Sequence, residues 1–188
     1  MKKGEVVIQL HKPDANEMLF FFTCGVIISV PLTLFIHQYT NSLLVGLDPF
    51  TVALISSAVF APFIEEFSKA YPLFYRHGET DRSIFNLALL VGSGFGIVEL
   101  LTYVFVIGAP VTDRLPGLFF HPASTSVTAY GIATRRPLPF YVIAVALHFS
   151  NNYLVLTNLF PFSGSVVMAI IVSTSWLLHG KTREKIVI

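Results

Sequence analysis

The sequence predicts an all-α, polytopic membrane bundle of about six transmembrane helices with both termini cytoplasmic. Three observations predict it. The 188 residues are 54% hydrophobic and only 12% charged, roughly half the charged fraction of an ordinary soluble domain, and mean hydropathy is +0.70. Apolar runs recur from Met18 to His179 with no long polar interval, and each approaches the ~20 residues that cross a hydrocarbon core. Lys and Arg fall in alternate connections between the runs, as short cytoplasmic loops require.

The first run, 18–39, follows an extended polar segment, lacks an A-x-A-like site and is too long for a cleavable leader, so it reads as a retained span. The runs at 50–75, 84–109, 117–134, 138–159 and 163–179 complete the set. Between them lie Asn41, Asp48-Pro49, Gly78-Glu79, Asp113-Arg114, Arg135-Arg136-Pro137 and Pro161, which are turn, breaker or charged residues. Residues 1–188 form one integral membrane domain with no room for a separate soluble one. Lys2, Lys3, Lys12, Arg76, Arg82, Arg135, Arg136, Lys181, Arg183 and Lys185 place ten of the 12 cations on one side. Arg114 alone lies opposite, and Lys69 lies inside a span. This pattern puts the protein in the cell membrane as a multi-pass chain. A net charge of +1 with no basic run excludes nucleic acid as a partner. Cys24, the single cysteine, sits in an apolar run as a small residue facing lipid or a helix.

Inside the spans lie Glu65, Glu66, Lys69, Glu99, His121 and His148. A charged side chain at a helix centre costs about 2.5–3.5 kcal/mol on insertion scales, so these groups must face inward and satisfy one another. At 1.5 Å rise per residue, Glu65, Glu99, His121, His148 and Asn152 all sit roughly 15–22 Å from the cytoplasmic ends of their spans, within one layer. Lys69 lies four residues after Glu65 and three after Glu66, so it can neutralise either carboxylate. The two adjacent carboxylates point ~100° apart and are expected to have different jobs. On the third span Gly92, Gly96, Glu99 and Tyr103 share a stripe with Phe95, and the glycines admit a neighbouring helix closely. His148 and Asn152 share a face of the fifth span. His37 and His179, at span ends, read as headgroup-region residues, and His121 beside Pro122 could equally cap the start of its span.

Carboxylates and imidazoles in a water-excluding bundle can activate a water molecule and stabilise an oxyanion, the requirement of acyl-bond hydrolysis. No G-x-S-x-G, H-E-x-x-H or catalytic cysteine is present, which argues against serine, zincin-type and cysteine mechanisms. No cofactor is required, although carboxylates and imidazoles at one depth leave a divalent cation open.

The segments Glu65-Glu66-Phe67-Ser68-Lys69, Gly94-Phe95-Gly96-Ile97-Val98-Glu99 and His148-Phe149-Ser150-Asn151-Asn152 resemble the PrsW family of membrane proteases, which belongs with the CAAX prenyl endopeptidases and bacteriocin-processing proteins. The resemblance covers about 60–152. It implies that Glu65 of the Glu65-Glu66 pair activates the attacking water, that Glu99 assists where prenyl endopeptidases have His, and that His148 and Asn152 stabilise the oxyanion. His121 resembles the extra histidine of PrsW-type proteins. Glu-Glu-x-x-Lys replaces Glu-Glu-x-x-x-Arg, which points to the PrsW branch and away from prenylated substrates. The implied function is a glutamic-type intramembrane endopeptidase acting on a membrane-anchored protein in the lipid bilayer. Two rivals remain. A non-catalytic binding or immunity-type relative would keep the same polar layer, and a proton- or ion-coupled transporter would use it as a relay, though no inverted repeat supports the latter.

Overall fold

The computed structural model describes residues 12–75, 80–159, 162–184 and 186–187. Lys2, Lys3, Arg76, Gly78, Glu79, Pro161 and Lys185, expected in the connections and termini, lie outside the described residues, as does the side chain of His37. Each apolar run folds into a helix, and no strand forms among the described residues apart from an isolated bridge between Thr80 and Ile186.

Helix α1 (Ala15–Leu43) starts where the Asp14 carboxylate accepts the Glu17 backbone N–H at 2.8 Å, supplying a partner that the first helical turn lacks. Helix α2 (Pro49–Ala53) is capped the same way by Asp48, which accepts from the Thr51 N–H at 3.0 Å with Pro49 at the first position. It continues through a π-helical segment, Leu54–Phe60, into α3 (Ala61–Tyr75). Helix α4 (Asp81–Leu101), capped by Thr80, likewise passes into a π-helical segment, Thr102–Ile107, which stops at Gly108 with φ +80°. A short α5 (Val111–Arg114) leads to α6 (Gly117–Ala133); α7 (Pro137–Thr157) and α8 (Ser163–Lys181) close the bundle.

By length and composition, three helices are long and apolar enough to cross a membrane: Pro49–Phe74, Asp81–Ile107 and Pro137–Thr157; Ala15–Ile28 is a shorter apolar helix. Helix α6 is the central element. Eleven of its 17 residues are buried, and it packs on α3, α4, α7 and α8. That position explains its Ser- and Thr-rich composition, because its hydroxyls bond backward to carbonyls of the helix or across to neighbours, as Ser126 does to Ser175 of α8 at 2.7 Å. Around it, Phe105, Val106, Phe162 and Trp176 stand 77–82% exposed, the inverse of a soluble surface and suited to lipid.

Backbone contact, not side-chain interlocking, sets two of the crossings. A Cβ on Gly92 would fall 2.5 Å from the His121 carbonyl oxygen, which fixes α4 against α6. A Cβ on Gly25 would fall 2.0 Å from the Val91 carbonyl oxygen, which fixes α1 against the other side of α4. At one end of the bundle, Arg82 donates through Nε to Thr182 Oγ1 at 2.6 Å and through Nη2 to the Thr182 carbonyl at 2.8 Å. Lys12, Arg82 and Glu184 line one small cavity there. The start of α1, the start of α4 and the end of α8 therefore meet.

Candidate active site

Helix α3 carries three charged side chains into the interior within five positions: Glu65, Glu66 and Lys69 are 5%, 1% and 1% exposed. Adjacent helical residues diverge, and the two carboxylates enter different surroundings. Lys69 Nζ donates to Glu66 Oε1 at 2.6 Å and Ser124 Oγ at 3.2 Å, and lies 3.0 Å from His121 Nδ1. Those acceptors match the three protons of an ammonium group. Glu66 Oε1 also accepts the His148 Nδ1–H at 2.8 Å and lies 3.1 Å from the Ser124 hydroxyl. Glu66 is thus the hub joining α3, α6 and α7. Glu65 stays outside this hub, with its Oε2 bare of hydrogen-bond partners among the described residues and 3.8 Å from His148 Nε2.

The close α4–α6 crossing brings the other half of the site together. Glu99 Oε2 lies 2.6 Å from His121 Nε2, and a Cβ on Gly117 would come within 3.5 Å of that same oxygen. The Phe95 ring centres 4.9 Å from the His121 ring and 5.1 Å from Lys69 Nζ, a cation–π contact. His121 is an inward-facing residue of α6, 3% exposed, and does not cap its helix.

The role expected for His148, an oxyanion donor, is not one that its contacts display. Its Nδ1–H is committed to Glu66, and its Nε2 faces the bare oxygen of Glu65. Asn152 is not turned wholly to the site either: its Nδ2 donates to the Ser57 carbonyl at 2.9 Å, in the π-helical segment before α3, and its Oδ1 accepts from Asn151 Nδ2 at 3.2 Å. A π-helical turn leaves carbonyls off the regular ladder, and such turns recur at functional sites.

A cavity of about 860 Å³ opens beside these groups, lined among others by Glu99, Arg114, His121, His148, Asn151 and Asn152. Glu65 is not part of that lining, but its carboxylate lies within 4.8 Å of Glu99 and His121 and 3.8 Å from His148 Nε2, all three of which are. Arg114 packs its guanidinium 3.5 Å from the Tyr103 ring centroid. Of the expected site residues, Glu65, Glu66, Glu99, His121 and His148 converge, and Asn152 borders them. Ser124 and Ser57 were not foreseen. Ser124 is one hydroxyl among several in α6, and Ser57 takes part through its backbone, so neither carries a sequence signal.

Glu65, Glu99 and His121 each present a ligand-type atom, all within 4.8 Å of one another, which makes them a candidate metal-binding set. Donor types suit a divalent cation. The hydrogen bonds do not. A ligating imidazole needs a lone pair on the nitrogen facing the metal and donates from its other nitrogen to an acceptor. Here the other nitrogen of His121 faces the Lys69 ammonium, a donor, which leaves the ring proton on Nε2 pointing at Glu99. The three residues as arranged do not fit a metal.

No curated protein and no solved structure matches the chain. A family match, described as "PrsW family intramembrane metalloprotease", covers residues 14–177, so all the helices bearing the site lie within it. The chain is an integral membrane protein and belongs to the PrsW family of intramembrane proteases.

Proposed function

We propose that this protein is a glutamic-type intramembrane endopeptidase in which Glu65 activates a water molecule for attack on a peptide bond of a membrane-anchored protein. One observation carries the mechanism. Among the described residues, Glu65 combines a bare, buried carboxylate oxygen with freedom from the Glu66–Lys69 hub, and its carboxylate lies within 4.8 Å of Glu99 and His121, which line the large cavity. Glu65 takes a proton from water as the oxygen attacks the scissile carbonyl, and returns it to the departing amine, so atoms and charge balance. Glu99, held by His121, raises the negative field that favours proton removal. The amides of Asn151 and Asn152 line the cavity and supply N–H donors for the developing oxyanion; Asn152 retains one N–H beyond its bond to Ser57. Glu66 and Lys69 hold the histidines. No step is assigned to a metal, since the candidate set fails on its hydrogen bonds.

The same proposal includes six spans in a single domain, both termini cytoplasmic, in the cell membrane. Supporting it are the six long helices, the cations on alternate connections and the meeting of the start of α1 and the end of α8 with the start of α4. Kinship with the CAAX prenyl endopeptidases rests on the three motifs alone. Purified protein in lipid vesicles, given a library of single-span reporters, should release fragments cut within or beside the span, identified by mass. Intact reporters across the library, with folded protein present, would refute the proposal.

A further inference from the structure

We infer that the Glu66–Lys69 ion pair locks the two site histidines in opposite tautomers, making His121 Nε2 a proton donor and His148 Nε2 a proton acceptor within one site. The inference rests on the functional proposal only for its catalytic meaning, since the tautomers follow from the hydrogen bonds themselves.

The pair touches both rings, one partner each. Glu66 Oε1 is an acceptor only, so the nitrogen 2.8 Å from it, His148 Nδ1, carries a proton. His148 Nε2 is then the ring's lone-pair nitrogen, and at 3.8 Å from Glu65 Oε2 it makes no direct hydrogen bond. Lys69 is a donor only, so the nitrogen 3.0 Å from it, His121 Nδ1, is bare. The proton of His121 must sit on Nε2, where it meets Glu99 Oε2 at 2.6 Å. Ser124 closes the circuit by accepting from Lys69 while lying 3.1 Å from Glu66 Oε1. With Glu66 and Lys69 both 1% exposed, no solvent competes for these bonds.

The consequence for chemistry is a division of labour. When Glu65 is ionised, as the functional proposal requires, the space between its Oε2 and His148 Nε2 presents two acceptors and no donor, which suits a water molecule donating a proton to each. Such a water is polarised by both groups at once. His121, by contrast, offers a proton toward Glu99 and keeps that carboxylate oriented. Lys69 is a positioning residue: it touches no reacting atom, and acts through the ring of His121.

Full-length protein labelled at its histidine nitrogens, in lipid nanodiscs, tests this by NMR, which separates protonated from bare ring nitrogens. Six histidines are present, and His121→Gln and His148→Gln each remove one signal set, assigning the two rings. The expected spectrum has His121 protonated at Nε2 and bare at Nδ1, and His148 the reverse. In Lys69→Met the constraint on His121 is gone, so its signals should shift toward a mixture of tautomers while those of His148 stay. Added zinc should leave the His121 signals of the parent unmoved. Like tautomers in the two rings, a doubly protonated ring, loss of the His121 Nε2 proton on adding zinc, or an unchanged His121 spectrum in folded Lys69→Met would each overturn the inference. Should Lys69→Met fail to fold, the parent spectrum with and without zinc still decides. Parent protein with the expected tautomers that cleaves no reporter would sink the proteolytic reading and leave this one standing, and active protein with like tautomers would do the reverse.

Discussion

Replacing Lys69 by methionine keeps most of the side-chain volume and deletes the charge. The Glu66 carboxylate, whose side chain is fully buried, then keeps only His148 and Ser124 as donors. Removing one member of a buried pair costs about 3–5 kcal/mol, because the survivor stays charged in a low-dielectric interior. For a chain of this length each kcal/mol moves the thermal midpoint by roughly 2–4 °C, so Lys69→Met should unfold about 6–20 °C below the parent in the same detergent. The control is Glu66→Gln combined with Lys69→Met. Glutamine retains an oxygen to accept the His148 Nδ1–H while removing the stranded charge, so the double variant should recover much of the loss, a coupling that additive behaviour forbids. Midpoints followed by scanning fluorimetry at matched protein concentration measure all four corners. A double variant no more stable than Lys69→Met would refute the assignment of Lys69 to Glu66.

Gly92→Val should lower both stability and cleavage, because its first added carbon would meet the backbone of His121 and Pro122 at 2.5 Å, whereas Gly180→Ala, with nothing within 4 Å, should be silent in both assays. Asn152→Ala leaves the Ser57 carbonyl without its donor, about 1–3 kcal/mol, so a fall in midpoint should accompany its loss of activity; a lowered rate with an unchanged midpoint would show that the Ser57 bond does not matter to folding. Cleavage should survive exhaustive treatment with a strong chelator. Activity lost on chelation and restored by zinc would contradict the glutamic mechanism.

Much of the site was legible because helix geometry is regular. Rise per residue alone put Glu65, Glu99, His121 and His148 at one depth, and the ~100° step between neighbours separated Glu65 from Glu66. Gly92 and Gly96 correctly marked a close crossing, now seen to be the one that joins Glu99 to His121. Gly25 gave no such warning, since a lone glycine forms no pattern, and Gly94, two residues from both Gly92 and Gly96, lies off their stripe and faces α1 instead. Spacing let Lys69 reach either carboxylate, with Glu66 the expected structural partner; the bond to Glu66, with Ser124 and His121 packed around the amine, is what the structure has. The π-helical turns were invisible for a similar reason. Leu54–Phe60 contains no Gly or Pro to announce a break, and the extra residue per turn rotates Ser57 so that its carbonyl reaches Asn152.

The claim that matters most is that the Glu65 carboxylate performs the chemistry while Glu66 performs the holding. The Glu65→Gln change preserves size and hydrogen-bonding capacity but leaves an amide that cannot take a proton from water. Single-turnover cleavage of one reporter by parent and Glu65→Gln, each reconstituted in vesicles and matched for thermal midpoint, measures this directly. The account predicts a folded Glu65→Gln protein of unchanged stability whose cleavage rate falls at least ~100-fold, the scale of a lost general base; a folded Glu65→Gln protein that cleaves at the parent rate would contradict it.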